Sequence, residues 1–180
     1  MTTELIDAFS KIAAEENGLL STNTKTFQAG TRLGSRASSD SLYLRFQHKG
    51  IELSISNELG QQNVGLISCR FPSEKISEDF NISRGSIVRQ FFGHRENSLK
   101  VKSNDPQLVN QVLSSSHFQQ LCSLAHETAF DPVISGKLKE GVLHFNVEYH
   151  LQFKERHLAL KPLIGLCKGL IDFNDYKPIT

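Results

Sequence analysis

Residues 41–55, SLYLRFQHKGIELSI, carry the reading on which the fold depends. Leu42, Leu44 and Phe46 alternate with Tyr43, Arg45 and Gln47, and after HKG the alternation resumes as Ile51, Leu53 and Ile55. A strand points successive side chains to opposite faces, so each run has one apolar and one polar side. Two such runs around a short Gly-containing turn predict an antiparallel hairpin. Its helical counterpart lies upstream: Leu5, Ile6, Phe9, Ile12 and Ala13 form one stripe at helical spacing, with Thr3 as cap and Gly18 as stop, predicting a helix over 3–17.

Downstream, a third strand is expected over 64–71, ended by Pro72, and another over 97–103 with Leu99 and Val101 inward. Residues 80–92 fit either strands or a short helix, with strands broken near Gly85 the favoured reading. Asp105 directly before Pro106 is a helix start, since an aspartate side chain accepts from the first free amides and proline tolerates the first helical position. Leu108, Val109, Val112 and Leu113 then repeat at helical spacing, and Phe118 to Thr128 make a second helical stretch.

The longest strand is expected at 141–153, whose core LHFNVEYHLQF alternates throughout: Phe145, Val147, Tyr149, Leu151 and Phe153 on one side, His144, Asn146, Glu148, His150 and Gln152 on the other. A closing helix spans 155–172, started or kinked by Pro162. Residues 21–41 are polar and Gly- and Arg-containing, and predict a mobile loop with a short strand around Lys25 to Ala29. Strands come in local runs rather than alternating with helices. The expected fold is therefore a single α+β domain over 1–180, an antiparallel sheet packed mainly on one face by helices, with an N-terminal helix and a long C-terminal one.

Composition bounds function mostly by exclusion. The chain has 180 residues, 38% hydrophobic and 22% charged, with a net charge of +1, so no global field draws it to nucleic acid or an anionic membrane. Cys69, Cys122 and Cys167 are widely spaced among apolar neighbours, which suits small buried thiols in a reducing compartment and lacks the paired spacing of a zinc ribbon. The start MTTELIDAFSKIAAEENG is unlike a signal peptide, and no stretch is apolar enough for a transmembrane segment; the cytoplasm is the expected location.

Two segments are candidates for chemistry. On the 143–153 strand, same-face neighbours lie about 6.6–6.8 Å apart, so Glu148 and His150 can share one ion or proton, whereas His144 and His150 are about 20 Å apart and cannot. Glu148 and His150 are thus the metal-ligand or acid/base candidates, to be weighed against the wet face of a sheet. The second segment is 84–102, where Arg84, Arg89, Arg95, Lys100 and Lys102 face one acid, Glu96, with Phe91 and Phe92 as stacking surfaces for phosphate or nucleic-acid binding. A hairpin tip at Gly93 with solvated basic side chains is the plainer account. His126, Glu127 and Asp131 read as a solvated helix end, Cys122 with His126 as a core thiol beside a surface imidazole, and Gly165 with Gly169 as close helix packing.

VKSND (101–105) before a helix, then the hairpin around VISGKLKEGVLHFNVEY and the helix ALKPLIGLCKGLIDF, together resemble uncharacterised prokaryotic α+β domains over the last hundred residues. The resemblance implies the order helix, hairpin, helix and no catalytic residue. The functional expectation is a non-catalytic domain that binds a protein partner or a small apolar ligand. No cofactor is expected, nucleic acid is not the favoured partner, and the alternative is an enzyme using Glu148 and His150.

Overall fold

A computed structural model describes residues 3–28, 36–60, 62–84 and 99–174. Its elements run α1 (Thr3–Glu15), β1 (Leu19–Gln28), β2 (Arg36–His48), β3 (Ile51–Leu59), β4 (Val64–Pro72), β5 (Phe80–Arg84), β6 (Leu99–Lys102), α2 (Pro106–Ser114), α3 (Ser116–Glu127), β7 (Pro132–Lys139), β8 (Val142–His150), a 3-10 turn (Arg156–Ala159) and α4 (Leu160–Phe173). All eight strands form one antiparallel sheet in the order β1-β2-β3-β4-β8-β7-β5-β6. The first four are a meander of sequential neighbours. The β7–β8 hairpin then inserts between β4 and β5, which places β8 at the centre of the sheet beside β4.

Turn chemistry sets the registers. Lys49 and Gly50 link β2 to β3 with φ of 51° and 78°, and Glu140 and Gly141 link β7 to β8 with φ of 52° and 76°. Positive φ at both central residues of a two-residue loop is the type I′ turn, whose twist matches the strands it joins. Register then sends Leu42, Leu44 and Phe46, Ile51, Leu53 and Ile55, Ile67, Cys69 and Phe71, and Leu143, Phe145, Val147 and Tyr149 to one face, where all are buried. The helices cover that face, with Phe9, Phe118, Leu121, Leu163, Leu166, Cys167 and Leu170 fully or almost fully buried against it.

Several close approaches show how tightly the inner face is filled. A Cβ on Gly65 would meet the Tyr149 ring at 2.3 Å, one on Gly136 the Phe80 ring at 2.1 Å, and one on Gly165 the His117 ring at 2.5 Å. Cys69 of β4 and Cys167 of α4 bring their sulfurs to 3.2 Å. The Tyr149 hydroxyl donates to Asn57 Oδ1 at 3.1 Å inside this layer. Complete burial pushes that hydroxyl above the ordinary phenol range, with the Asn57 hydrogen bond acting the other way.

Polar links tie the helices to one another and to the sheet. Lys168 Nζ donates to both carboxylate oxygens of Glu16 at 2.8 and 2.9 Å, and Lys161 Nζ to Glu15 at 2.9 Å, joining α4 to the end of α1. That hydrogen bond, aided by the positive charge of Lys161, holds the Glu15 carboxyl below its ordinary value. Asp172 receives Lys49 Nζ at 2.8 Å and His48 Nε2 at 2.9 Å from the β2–β3 turn. Partial burial raises the Asp172 carboxyl, but these two contacts outweigh it and the net shift is downward. Buried Asn174 accepts from the amides of Glu74 and Lys75 at 2.9 and 3.0 Å and donates to the Pro72 carbonyl, tying the end of α4 to the chain leaving β4.

The α2 start follows the sequence: Asp105 Oδ1 accepts from the amides of Gln107 and Leu108 at 2.9 and 3.1 Å, with Pro106 at the first helical position. Asp105→Ala is expected to lower unfolding free energy by about 1 kcal/mol, with Asp105→Asn close to wild type, as read from urea midpoints.

Two expectations are corrected. Residues 21–28 and 36–41 belong to the strands β1 and β2 rather than to a mobile loop, paired from Leu19↔Arg45 to Gln28↔Arg36; residues 29–35 of that segment, including Ala29, lie outside the described residues. β1 has no apolar row to reveal it: Ser21 to Thr26 are all exposed, and the strand is held by its ladder to β2. The 141–153 strand ends at His150; Leu151 and Phe153 are buried beyond it in the approach to the 3-10 turn, where Phe153 packs on Phe130 at 5.3 Å between ring centroids. Pro162 is the third residue of α4 and lies in its first turn, where a missing amide hydrogen costs no intrahelical bond.

Candidate interaction surface

With the helices on one side, no described element covers the other face of the sheet, and the strand pairings place its side chains in cross-strand rows. The middle row runs Leu19, Arg45, Ser54, Ser68, Asn146, Ser135, Asn81 and Lys102 across all eight strands. Its central members are small and uncharged. One step towards the other end of β4 lies a row of Tyr43, Ser56, Leu66, Glu148 and Val133. Tyr43 is 39%, Leu66 45% and Val133 50% exposed, three large side chains in water on the polar side of the alternation. On the opposite flank Arg70, His144 and Lys137 are neighbours on β4, β8 and β7.

The low middle row between taller rows makes a trough. Two hollows of about 340 and 160 Å³ open along it, the first lined by Leu66, Ser68, Val133, Ser135, Asn146 and Glu148, the second by Tyr43, Arg45, Ser54, Ser56, Leu66 and Ser68. Leu66 and Ser68 line both, so the hollows adjoin over β4.

Charge on this face is one-sided. Its outward positions hold Lys25, Arg45, Arg70, Lys100, Lys102, Lys137 and Lys139 against Glu52, Glu58 and Glu148, although the whole chain carries only +1. Arg70, His144 and Lys137 make no ion pair among the described residues. Arg70 and Lys137 are fixed positive charges on either side of β8, so this row is a favourable place for an external anion.

Glu148 and His150 do share this face, two residues apart and exposed, as strand geometry requires. Neither is drawn into a pocket with a third ligand: no group of three or more His, Cys, Asp or Glu side chains placed to hold a metal ion occurs among the described residues. Cross-strand neighbours of Glu148 are Leu66 and Val133, and that of His150 is Val64, none of which coordinates a metal.

The basic segment 84–102 is divided by the sheet. Arg84 lies on the inner face, opposite Leu99, and its Nη2 donates to the carbonyls of Ala125 and Thr128 at the end of α3. That nitrogen is committed to a helix terminus on the helix-covered side of the sheet. Lys100 and Lys102 point to the uncovered face beside Ser83 and Asn81. Arg89 and Arg95, with Phe91 and Phe92, lie outside the described residues.

No family model, curated protein or solved structure matches this chain. The comparisons thus add nothing to the likeness read from the sequence, and the uncovered face is judged on its own chemistry. Among the described residues, no helix is long and apolar enough to cross a membrane.

Leu66, Tyr43, Val133, Arg70 and Lys137 were not singled out from sequence. The signal was present for Leu66: in VGLISCRF the buried parity is Gly65, Ile67, Cys69 and Phe71, which leaves Leu66 as a leucine on the polar side.

Proposed function

We propose that this protein is a non-catalytic protein-interaction domain and that the uncovered face of its sheet is the working surface. The observation that carries the reading is the exposed row of Tyr43, Leu66 and Val133 beside adjoining hollows. Single exposed apolar residues are common and mean little, whereas three in one cross-strand row, with Ser56 and Glu148 between them along a concave strip, are where a partner gains from burial. Covering each of these side chains is worth about 1 kcal/mol or more at roughly 25 cal/mol per Å² of apolar surface. The helix layer behind the sheet gives the strip a rigid support, so little ordering accompanies binding.

Selection of displayed random 20-residue peptides on the immobilised protein tests this. Enriched peptides should bind wild type and lose binding to Leu66→Glu, whose thermal midpoint should stay near wild type because the position is exposed. A selection that yields no peptide sensitive to Leu66→Glu or Val133→Glu would rule out the reading.

A further inference from the structure

Resting on that reading, we infer that the trough receives an acidic amphipathic α-helix of a protein partner, its apolar stripe on Tyr43, Leu66 and Val133 and its carboxylates along Arg70, His144 and Lys137. The dimensions match. Leu66 and Arg70 are four residues apart on β4, about 13 Å at roughly 3.3 Å per residue. A helix with its side chains is about 10–12 Å across and fits between two such walls over a floor of Ser54, Ser68, Asn146 and Ser135. From β2 to β7 the trough crosses five adjacent strands, about 19 Å at roughly 4.8 Å per spacing, the length of about 13 helical residues.

Charge selects the sign of the occupant. Among the described residues seven basic side chains stand on this face against three acidic ones, and the row bounding the trough carries Arg70, His144 and Lys137 on β4, β8 and β7, continued by Glu52 and Gln47 on β3 and β2. A helix with carboxylates over the β4–β7 part of that edge meets the two cations Arg70 and Lys137, and an arginine offers paired donors suited to a carboxylate. Glu148, between Leu66 and Val133, sets the register, since the partner residue above it must be polar or basic for the apolar contacts on either side to close.

Other occupants fit less well. The same face of a second copy would bring one net-basic surface against another. Single-stranded nucleic acid gains from successive aromatic platforms, and the exposed aromatic on the described face is Tyr43.

The same peptide selection decides the matter. Enriched sequences should carry apolar residues at i, i+3, i+4 and i+7 with an adjoining stripe of Asp and Glu, and should gain helical circular dichroism on binding. Their affinity should fall by about tenfold or more on Arg70→Glu/Lys137→Glu, and should weaken as salt rises. Peptides that are neutral or basic, or that bind the double variant as well as wild type, overturn the inference while leaving the face as the working surface if Leu66→Glu still abolishes binding. Loss of neither on any variant overturns both. Two other findings also overturn the acidic helix: polyuridylate binding that disappears in Arg70→Glu/Lys137→Glu, or a dimer in sedimentation that Leu66→Glu dissociates.

Discussion

Replacing Phe145 by alanine should lower unfolding free energy by about 3–5 kcal/mol, towards the upper end of that range. Phe145 is fully buried on β8, opposite Cys69 on β4 and Gly136 on β7. Its ring neighbours that of Phe80, 6.4 Å between centroids, and the two rings fill the inner side of a sheet region where Gly136 has no side chain to offer. The cost of a large-to-small change grows with the cavity that remains, and collapse is hardest where the neighbours are backbone. Phe80 is itself lodged against Gly136 and cannot swing across without leaving its own place. In urea the midpoint should fall steeply with an unchanged slope, because the folded state loses packing rather than extent. A loss below about 1.5 kcal/mol would mean that this part of the core is looser than the contacts imply.

Much of the sheet was legible because its information is local. Alternation, the Lys49-Gly50 and Glu140-Gly141 turns and the Asp105-Pro106 start all involve residues within a few positions of each other, and the backbone realises each of them. Three features were hidden for separate physical reasons. β1 is an edge strand whose residues 21–26 are polar on both sides, so periodicity, which reports burial, was silent where mainly the hydrogen-bond ladder holds the chain. Strand order is non-local: nothing in residues 64–84 shows that a hairpin some sixty residues on will enter between β4 and β5. Arg84 looked like part of a basic ligand site, yet its neighbours in sequence are irrelevant to its partners, the carbonyls of Ala125 and Thr128. The candidate surface sits between these cases. Each strand alone assigned its outward residues, but only the registers reveal that Tyr43, Leu66 and Val133 align, and that Arg70, His144 and Lys137 do.

The second large effect concerns Gly65 and Tyr149. Gly65→Ala should destabilise the protein by about 2–3 kcal/mol, although alanine is normally the safer residue in a strand. Gly65 does not occupy the left-handed region, so its backbone accepts a side chain without strain. Ordinarily the change would then gain about 0.4–1 kcal/mol by restricting the unfolded chain. Steric overlap outweighs that gain here: the added Cβ would stand 2.3, 2.6 and 2.7 Å from Cζ, Cε1 and the hydroxyl oxygen of Tyr149. The ring has no easy retreat, being fully buried, edge-on to Phe130 at 5.9 Å and hydrogen-bonded to Asn57.

Tyr149→Leu alone should also be costly, since it shortens the side chain and leaves the Asn57 amide buried with no partner for either of its polar atoms. In the double variant the new methyl occupies space that the ring has left. The two losses should therefore fall short of their sum by about 1–2 kcal/mol, a coupling measurable as a double-mutant cycle in urea. Strict additivity would show that the ring and the glycine do not share one space. A strong coupling would place the rigidity of β4, the strand that presents Leu66 and Arg70 on the opposite face, in the packing of Tyr149 over Gly65. In that case Gly65→Ala should also broaden or shift the amide resonances of Leu66 and Arg70, linking a steric fit inside the sheet to the surface it supports outside.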